Sequence, residues 1–535
     1  MASLIIDKKK SGDYLRIIES YRENGKPKTR TLYTLGRVDS FSPSSLRRMG
    51  ERLYALGGGN LSDLLGEALQ EEGRYNYGFY LVYQRIFAYY GLDRLLERIT
   101  KRKKLTYRLS QVVLLLLLER LNDPCSKLSS YHHQEEYFGL PKVELQNIYR
   151  SLDYLADHSR LIQHTIFQAD RDLFNQQLDV VFYDVTTFYF ESEIEKEGSL
   201  RQKGFCKDGK LGSTQVVFAM LIDRYKQPIG YRLYSGGTWE GKTYLQMVDD
   251  LKKEYMIEKI ILVADRGMLN TDNIQATVEN GYEFIMGERL KVLPVTIQQQ
   301  LLDLGEYEHE WISTSSDPIK VRYRVIEYQN RKIIGTFSAR RAEKDRKERE
   351  EKLRKAELLL KKPSQLKKKA RHYFLKNLEG EQYIIDKDKV ERSAKYDGFL
   401  AIAYNTKDLT TDQVLDQYHH LYRIEHSFRT FKGYLETRPM FHWSDKRIAG
   451  HICLCYVAYS LLINLKMRLE KQGTPLSEEN IRSTLTKMQL SLIKQGDNYF
   501  YLRSKSTEQT HQLLKSVSKK APPDLFPKDQ IINFL

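Results

Sequence analysis

LDVVFYDVTTFYFES, residues 178–192, decides how this chain is read. β-branched and aromatic residues fill it, so it reads as a strand, and it is too apolar to lie at an exposed sheet edge. One carboxylate, Asp184, interrupts it. Burying an unpaired carboxylate costs several kcal/mol, so Asp184 needs a partner or a metal ion.

Working outward, STQVVFAMLIDRYKQPIGYRLYSGG reads as two more strands that turn at Lys226-Gln227-Pro228. TYLQMVDDLKKEY reads as a helix, KIILVADRGMLN as a fourth strand ending in a polar loop, and NIQATVENGYEFIMGE as a helix and a fifth strand. Three meandering strands, helix, strand, helix, strand is the order of a ribonuclease-H-like mixed α/β sheet with helices on both faces. Asp265 ends the fourth strand. In this topology the first and fourth strands are neighbours, so Asp184 and Asp265 can share a metal. The alternative for either acid alone is an Asp that caps the next turn.

Residues 1 to about 40 alternate in polarity, and Glu23-Asn24-Gly25-Lys26 marks a β-hairpin. From about 44 to 175 the apolar spacing is helical. Short helices with basic tips such as ITKRKKLTYR suit a helix-turn-helix-like DNA reader, with a plain helical bundle as the alternative. Residues 289–396 read as an insertion, with strand-like IKVRYRVIEYQN and RKIIGTFSA and the charged helix RRAEKDRKEREEKLRKAELLLKK. From Arg331 to His372, 17 Lys and Arg stand against 6 Asp and Glu, so about +11 of the formal net +16 lies there. That concentration suits a phosphate backbone; the alternative is a solvated helix with i,i+4 pairs. Sheet-like sequence resumes at DGFLAIAYNT, then YHHLYRIEHSFRTFKG reads as one helix, and an apolar helix follows at 448–466.

With 535 residues the chain is too long for one core. Its divisions read as an N-terminal β-containing region at 1–75 and a helical DNA-binding region at 76–175. A catalytic domain at 176–288 and 397–466 is split by the insertion at 289–396, and a C-terminal region covers 467–535. The positive charge favours a polyanionic partner, nucleic acid foremost. VVLLLLL from Val112 and ICLCYVAYSLLI from Ile452 fall short of the roughly 20 residues that span a bilayer, so no membrane partner is expected. The N-terminus does not read as a signal peptide. The four cysteines are scattered with no C-x-x-C pair, which fits a reducing cytosol rather than a zinc or disulfide framework. The 37 tyrosines suit half-buried strands or base stacking.

Phosphodiester chemistry commonly uses two divalent metals held by carboxylates on rigid elements. A third ligand after the fifth strand is expected from a helix. Tyr418, Tyr422, Glu425, Arg429 and Lys432 share one helical face, and Leu421, Ile424, Phe428, Phe431 and Leu435 form a neighbouring apolar face that can pack on the sheet. On these residues the chain resembles the DDE transposases of bacterial insertion sequences, in the subgroup with the signature Y-x2-R-x3-E-x6-K. Tyr418, Glu425 and Lys432 match; the Arg position is Leu421. Arg423 lies about 200° around the helix from it, and Arg429 is the nearer candidate for the phosphate contact. The resemblance runs from about residue 180 to 465, including RPMFHW and RIAGHICLCYVAYSLL.

The resemblance implies catalytic and metal-binding roles for Asp184, Asp265 and Glu425, with two Mg²⁺ that Mn²⁺ can replace. It implies DNA contacts by Tyr418, Arg429 and Lys432, with Arg423 and Lys242 as further candidates. It also implies an N-terminal domain that binds double-stranded transposon ends, a homodimer that synapses them, transfer to target DNA, and action in the bacterial cytoplasm at the nucleoid. An inactive DNA-binding descendant is the alternative.

GGTWEGKT, Gly236 to Thr243, matches the phosphate-loop pattern G-x4-G-K-[ST] and makes an ATPase a rival. Against it stand the meandering strands upstream, since a phosphate loop needs a parallel sheet, and Trp239 and Glu240 inside a loop whose N–H groups must wrap an anion. The resemblance places this loop near DNA instead. FCKDGK at 205–210 reads as a turn or a DNA-touching loop. His132-His133 reads as a polar helix end. Trp311 reads as a strand aromatic, or by resemblance as a stacking partner for a flipped base.

Overall fold

The computed structural model describes all residues except Met1, 60–68, 175–179, 192–193, 196–197, 205–212, 256–259, 314–317, 362–373, 379–381 and Leu535. FCKDGK thus lies outside the described residues. The chain forms two compact units. One holds Met1–Arg74, Gln489–Lys505 and Pro522–Leu535; the other holds Tyr75–Met488 and Ser506–Ala521.

In the first unit, β1 (Ala2–Lys9), β2 (Gly12–Glu23) and β3 (Lys26–Arg37) make an antiparallel sheet. The β2–β3 hairpin turns at the expected place: Asn24 and Gly25 both have positive φ, at 49° and 79°. That is the backbone a two-residue hairpin turn needs to match strand twist. Helix α1 (Pro43–Leu56) follows, with Ser42 accepting from the Ser45 N–H as its N-cap. β4 (Gln70–Asn76) joins a separate sheet with strands from near the C-terminus.

The second unit begins with helices α2 (Gly78–Tyr89), α3 (Leu92–Thr100), α4 (Leu109–Asn122), α5 (Lys127–His133), α6 (Leu145–Asp157) and α7 (Ser159–Phe174). α4 is buried on nearly every side, so it is a core helix with no free face to read DNA.

Among the described residues the main sheet has ten strands. Its heart is β5 (Val180–Tyr189), β7 (Thr214–Asp223), β8 (Pro228–Ser235), β9 (Ile261–Ala264) and β10 (Glu283–Glu288), with the short β6 (Gln202–Lys203) beside β7. Their order is β8-β7-β5-β9-β10; β5, β9 and β10 are parallel and β7 is antiparallel to β5. This is the ribonuclease-H-like arrangement expected from the sequence. α8 (Glu240–Lys253) and α9 (Thr271–Glu279) connect β8, β9 and β10. Tyr183 and Tyr244, edge to face at 5.3 Å, lie in the core that α8 shares with one face of the sheet.

The inserted segment does not stand apart from this sheet. After α10 (Val295–Leu302), the strands β11 (His309–Ile312), β12 (Lys320–Tyr328) and β13 (Arg331–Phe337) continue it through β16 (Phe399–Tyr404), which pairs antiparallel with both β13 and β10. Between β13 and β16 lie α11 (Ala339–Leu360), the hairpin β14 (Leu375–Leu378) and β15 (Gln382–Ile385), and α12 (Lys387–Ala394).

The helix expected over 418–433 is broken. α13 (Thr411–His419) stops, and α14 (Tyr422–Arg429) restarts after His420 and Leu421 and widens into a π-helical turn at Thr430–Tyr434. At the break the backbone tightens to i−3 bonds, Leu421 N to the Tyr418 carbonyl at 3.1 Å and Arg423 N to that of His420 at 2.9 Å. Such local changes of helix type recur at functional sites. The five residues assigned to one face therefore sit on three helical pieces.

α15 (Asp445–Lys471) is long and apolar enough to cross a membrane, unlike the shorter run read from sequence, but 94% of its apolar window is buried. It packs on α4 and α6. The approach to α6 is so close that a Cβ on Gly450 would lie 2.0 Å from the Leu152 carbonyl oxygen. α16 (Glu478–Thr486) and α17 (Glu508–Ser516) complete this unit. β17 (Gln489–Gln495), β18 (Asn498–Arg503) and β19 (Leu525–Pro527) form the sheet that β4 joins, in the order β19-β18-β17-β4.

Candidate functional site

Strand register brings the first two acids together. Tyr183 pairs with Ala264, and Ala264 with Met286, across three parallel strands. The next residue on each strand is Asp184, Asp265 and Gly287, so these form one row on one face of the sheet. In β5, Asp184 is half-buried among residues that are nearly all buried, and its Oδ1 accepts the Val185 N–H at 2.7 Å. Asp265 is exposed where β9 ends.

α14 covers the same face. Its buried Ile424 and Phe428, with Phe431 beyond, pack on it: Phe218 lies 6.1 Å from Phe428 and 5.2 Å from Phe431, centroid to centroid. This is the apolar face expected from sequence, and seating it leaves Glu425 exposed at the rim. Asp184, Asp265 and Glu425 then line one cleft of about 690 Å³ with Tyr418 and Leu421. Asp184 and Glu425 also line an adjoining cleft of about 420 Å³, together with Arg429, Lys432 and Arg438.

Gly287 matters because Tyr418 fills the space above it. A Cβ there would lie 2.4 Å from the Tyr418 hydroxyl and 2.9 Å from the Arg266 N. Burial raises the pKa of the Tyr418 hydroxyl, and the charges of Asp265 and Glu425 raise it further. The phenol therefore stays protonated, with a proton to donate. α13 is anchored by the inserted strands: Tyr323 donates to Asp412 at 2.8 Å and Trp311 Nε1 to Asp416 at 3.2 Å. Trp311 lines the cleft, but it is only 7% exposed and meets His419 edge-on, so the structure displays it as a packed strand aromatic.

The remaining candidates lie elsewhere. Arg423 turns away from the acids and donates to the Arg224 carbonyl at the β7–β8 hairpin. Lys242 is exposed on the first turn of α8, outside the acid cleft. The phosphate-loop pattern around it is otherwise occupied. The Gly236 N–H donates to the Leu200 carbonyl at 3.0 Å and the Thr238 N–H to Ser235 at 2.9 Å. Thr243 is buried, with its hydroxyl 2.6 Å from that of Tyr183. β8 pairs with the antiparallel β7, not with a parallel neighbour. These amides and this hydroxyl serve the fold, so the nucleotide-binding reading fails.

Sequence reasoning passed over Arg438, Arg340, Arg341 and Lys344. The last three line the larger cleft from the first turns of α11. Arg438 belongs to RPMFHW, already noted in the sequence; the other three were lost in the uniform charge of the insertion. Along α11 itself, Arg346 pairs with Glu343 and Glu350, Lys347 with Glu343, and Lys355 with Glu351. The exposed face of its distal part is thus the solvated, internally paired helix that stood as the alternative, while Ala356, Leu359 and Leu360 pack against β14 and β15.

The donor set suits a hard divalent cation: three carboxylates, all oxygen ligands, on one wall. The grouping of metal-ligand atoms that lie within 4.8 Å of one another among the described residues is a different one, Glu119, Cys125 and His133. His133 ends α5, the polar helix end expected from sequence, and also belongs to this grouping. There the Cys125 thiol donates to Glu119 at 3.0 Å, and the buried Arg120 and Lys127 beside it oppose a cation.

Two family descriptions match the chain: "IS1634 family transposase, N-terminal domain" over residues 5–60 and "Transposase DDE domain" over residues 175–461. No curated protein matches. Among solved structures, a piggyBac transposase synaptic complex with hairpin DNA is similar at 10% identity and TM-score 0.38, over 77% of this chain and 78% of that one. A Mos1 transposase paired-end complex with the left transposon end is similar at 14% identity and TM-score 0.15, over 36% of this chain and 57% of that one.

Proposed function

The chain belongs to the DDE transposases, a family of metal-dependent DNA-cutting enzymes, and we propose that Asp184, Asp265 and Glu425 are its catalytic acids. The observation that carries this reading is the meeting of all three in one cleft, from the middle of β5, the end of the adjacent β9 and a helix about 160 residues further on. They are the ligands for two Mg²⁺, which Mn²⁺ can replace. When bound, such ions activate the attacking oxygen and stabilise the leaving one.

The protein's own side chains then position DNA. Arg429, Lys432 and Arg438 bind phosphate beside the acids by charge and hydrogen bonds. Tyr418 donates a hydrogen bond from its protonated hydroxyl. With its pKa raised it is a poor nucleophile, and no covalent link to the enzyme is needed. Water nicks the element's end, and the freed 3′-hydroxyl attacks target DNA. A homodimer binds the terminal inverted repeats and synapses two ends, in the cytoplasm at the nucleoid.

Duplex DNA carrying the element's ends, incubated with the full chain and Mg²⁺, is expected to be nicked to a 3′-hydroxyl at the end of the element. End binding with no nick in either Mg²⁺ or Mn²⁺ would instead identify an inactive descendant. ATP turnover abolished by Lys242→Ala, without any DNA cutting, would overturn the reading altogether.

Gly287→Ala tests the seat of Tyr418. A displacement of about 1 Å near reacting groups can cost about 10²-fold in rate. The substitution is expected to lower strand transfer by about that factor, measured on pre-cut ends. Unchanged transfer would show that Tyr418 and the loop after Asp265 need not hold their present places.

A further inference from the structure

Asp184 and Glu425 form a saddle between two clefts. The smaller carries Arg429, Lys432 and Arg438. The larger carries Leu421, where no charge is available, and Arg340, Arg341 and Lys344. His419 also lines it, but burial lowers its pKa, so the positive charge on that wall comes from α11. The charge of Arg341 acts on the Tyr418 hydroxyl, as do those of Asp265 and Glu425. Arg341 lines the same cleft as the three acids, although it is 84 residues from Glu425 in sequence.

The start of α11 is held firmly. It follows directly from β13, the Ser338 N–H donates to the Gly398 carbonyl at 3.1 Å, and the Gly398 N–H donates to Asp345 at 3.0 Å. Gly398 itself has φ of +83° and is packed so closely that a Cβ would lie 2.8 Å from that of Ala342. Two of the cleft cations are held only loosely, Arg341 by Asp345 at 3.6 Å and Lys344 by Glu348 at 4.0 Å. Loose pairs on an anchored turn exchange their carboxylates for phosphates at little cost.

We propose that Arg340, Arg341 and Lys344 form a second phosphate-binding subsite across the acids from Arg429, Lys432 and Arg438. A DNA strand then crosses the Asp184–Glu425 saddle with its phosphates gripped on both sides of the bond to be cut. The subsite supplies from α11 the charge that Leu421 does not. This inference rests on the catalytic roles proposed for the three acids.

The test is the salt dependence of end-DNA binding by the full chain, from about 50 to about 200 mM salt. Each cation that neutralises a phosphate contributes about 0.9 to the slope of log K against log[salt]. Arg341→Ala/Lys344→Ala is expected to lower the slope by about 1.8, and Arg341→Lys to leave it unchanged. Lys347→Ala/Lys355→Ala, on the paired part of the same helix, is expected to leave it unchanged too. Adding Leu421→Arg to the double variant is expected to return about 0.9. A slope equal to the parent's in the double variant, or an equal fall in the distal control, would overturn the subsite. Should the double variant unfold by circular dichroism, Arg341→Gln alone, with an expected fall of about 0.9, decides. Glu425→Gln separates the two claims: if it still cuts, the catalytic reading fails whatever the slopes, and if it is inactive while the slopes stay flat, the subsite alone fails.

Discussion

Glu425→Gln lowers strand cutting and transfer in Mg²⁺ by about 10³-fold or more, the expected result of removing several kcal/mol of transition-state stabilisation. Gln keeps the volume of Glu and its place on α14, where Ile424 and Phe428 remain buried against the sheet. What it loses is the anionic oxygen. Glu425 is exposed, so thermal stability changes by no more than about 0.5 kcal/mol, and DNA binding through the flanking cations persists. The measurement is transfer of a pre-cut end into target DNA, beside an unfolding curve. Transfer within tenfold of the parent removes Glu425 from the catalytic set.

Chelating divalent cations is expected to stop cutting completely, and returning Mg²⁺ or Mn²⁺ to restore it. The reason is visible on the cleft wall. Asp184, Asp265 and Glu425 put three carboxylates where a phosphate must approach, and without cations they repel it. Ca²⁺ binds oxygen ligands at longer range and in looser geometry, so it is expected to restore end binding but not cutting. The readout is nicking and binding on the same DNA, with each metal in turn. Cutting that persists in excess chelator at the Mg²⁺ rate would mean that the side chains alone carry the chemistry.

Much of this was legible in local pattern. The apolar run around Asp184 marked an interior strand, and burial of eight of the ten residues of β5 bears that out. Asn24-Gly25 and Lys226-Gln227-Pro228 marked turns, and positive φ at Asn24 and Gly25 shows why those two residues suit theirs. The apolar stripe of Ile424, Phe428 and Phe431 revealed the buried face of α14. Pattern failed where a short-range rule was carried too far. Helical spacing ran Tyr418 to Lys432 together as one face, because periodicity does not register a single tightened turn at Leu421. Basic composition made the insertion look uniform, because counting charges cannot tell which of them carboxylates on the next turn already hold.

Residue order was enough to read the ribonuclease-H-like core and to single out the three acids proposed for catalysis. Apolar continuity, turn residues and helical spacing act within a few residues of one another, and each is written directly in the chain. Only the folded chain decided the rest. Parallel register set Asp184, Asp265 and Gly287 in one row. The pairing of β13 with β16 drew the inserted strands into the main sheet and brought Arg340, Arg341 and Lys344 to the acids. Those arrangements depend on hydrogen bonding between strands far apart in sequence, and on how closely a glycine lets another element approach. No local pattern encodes either.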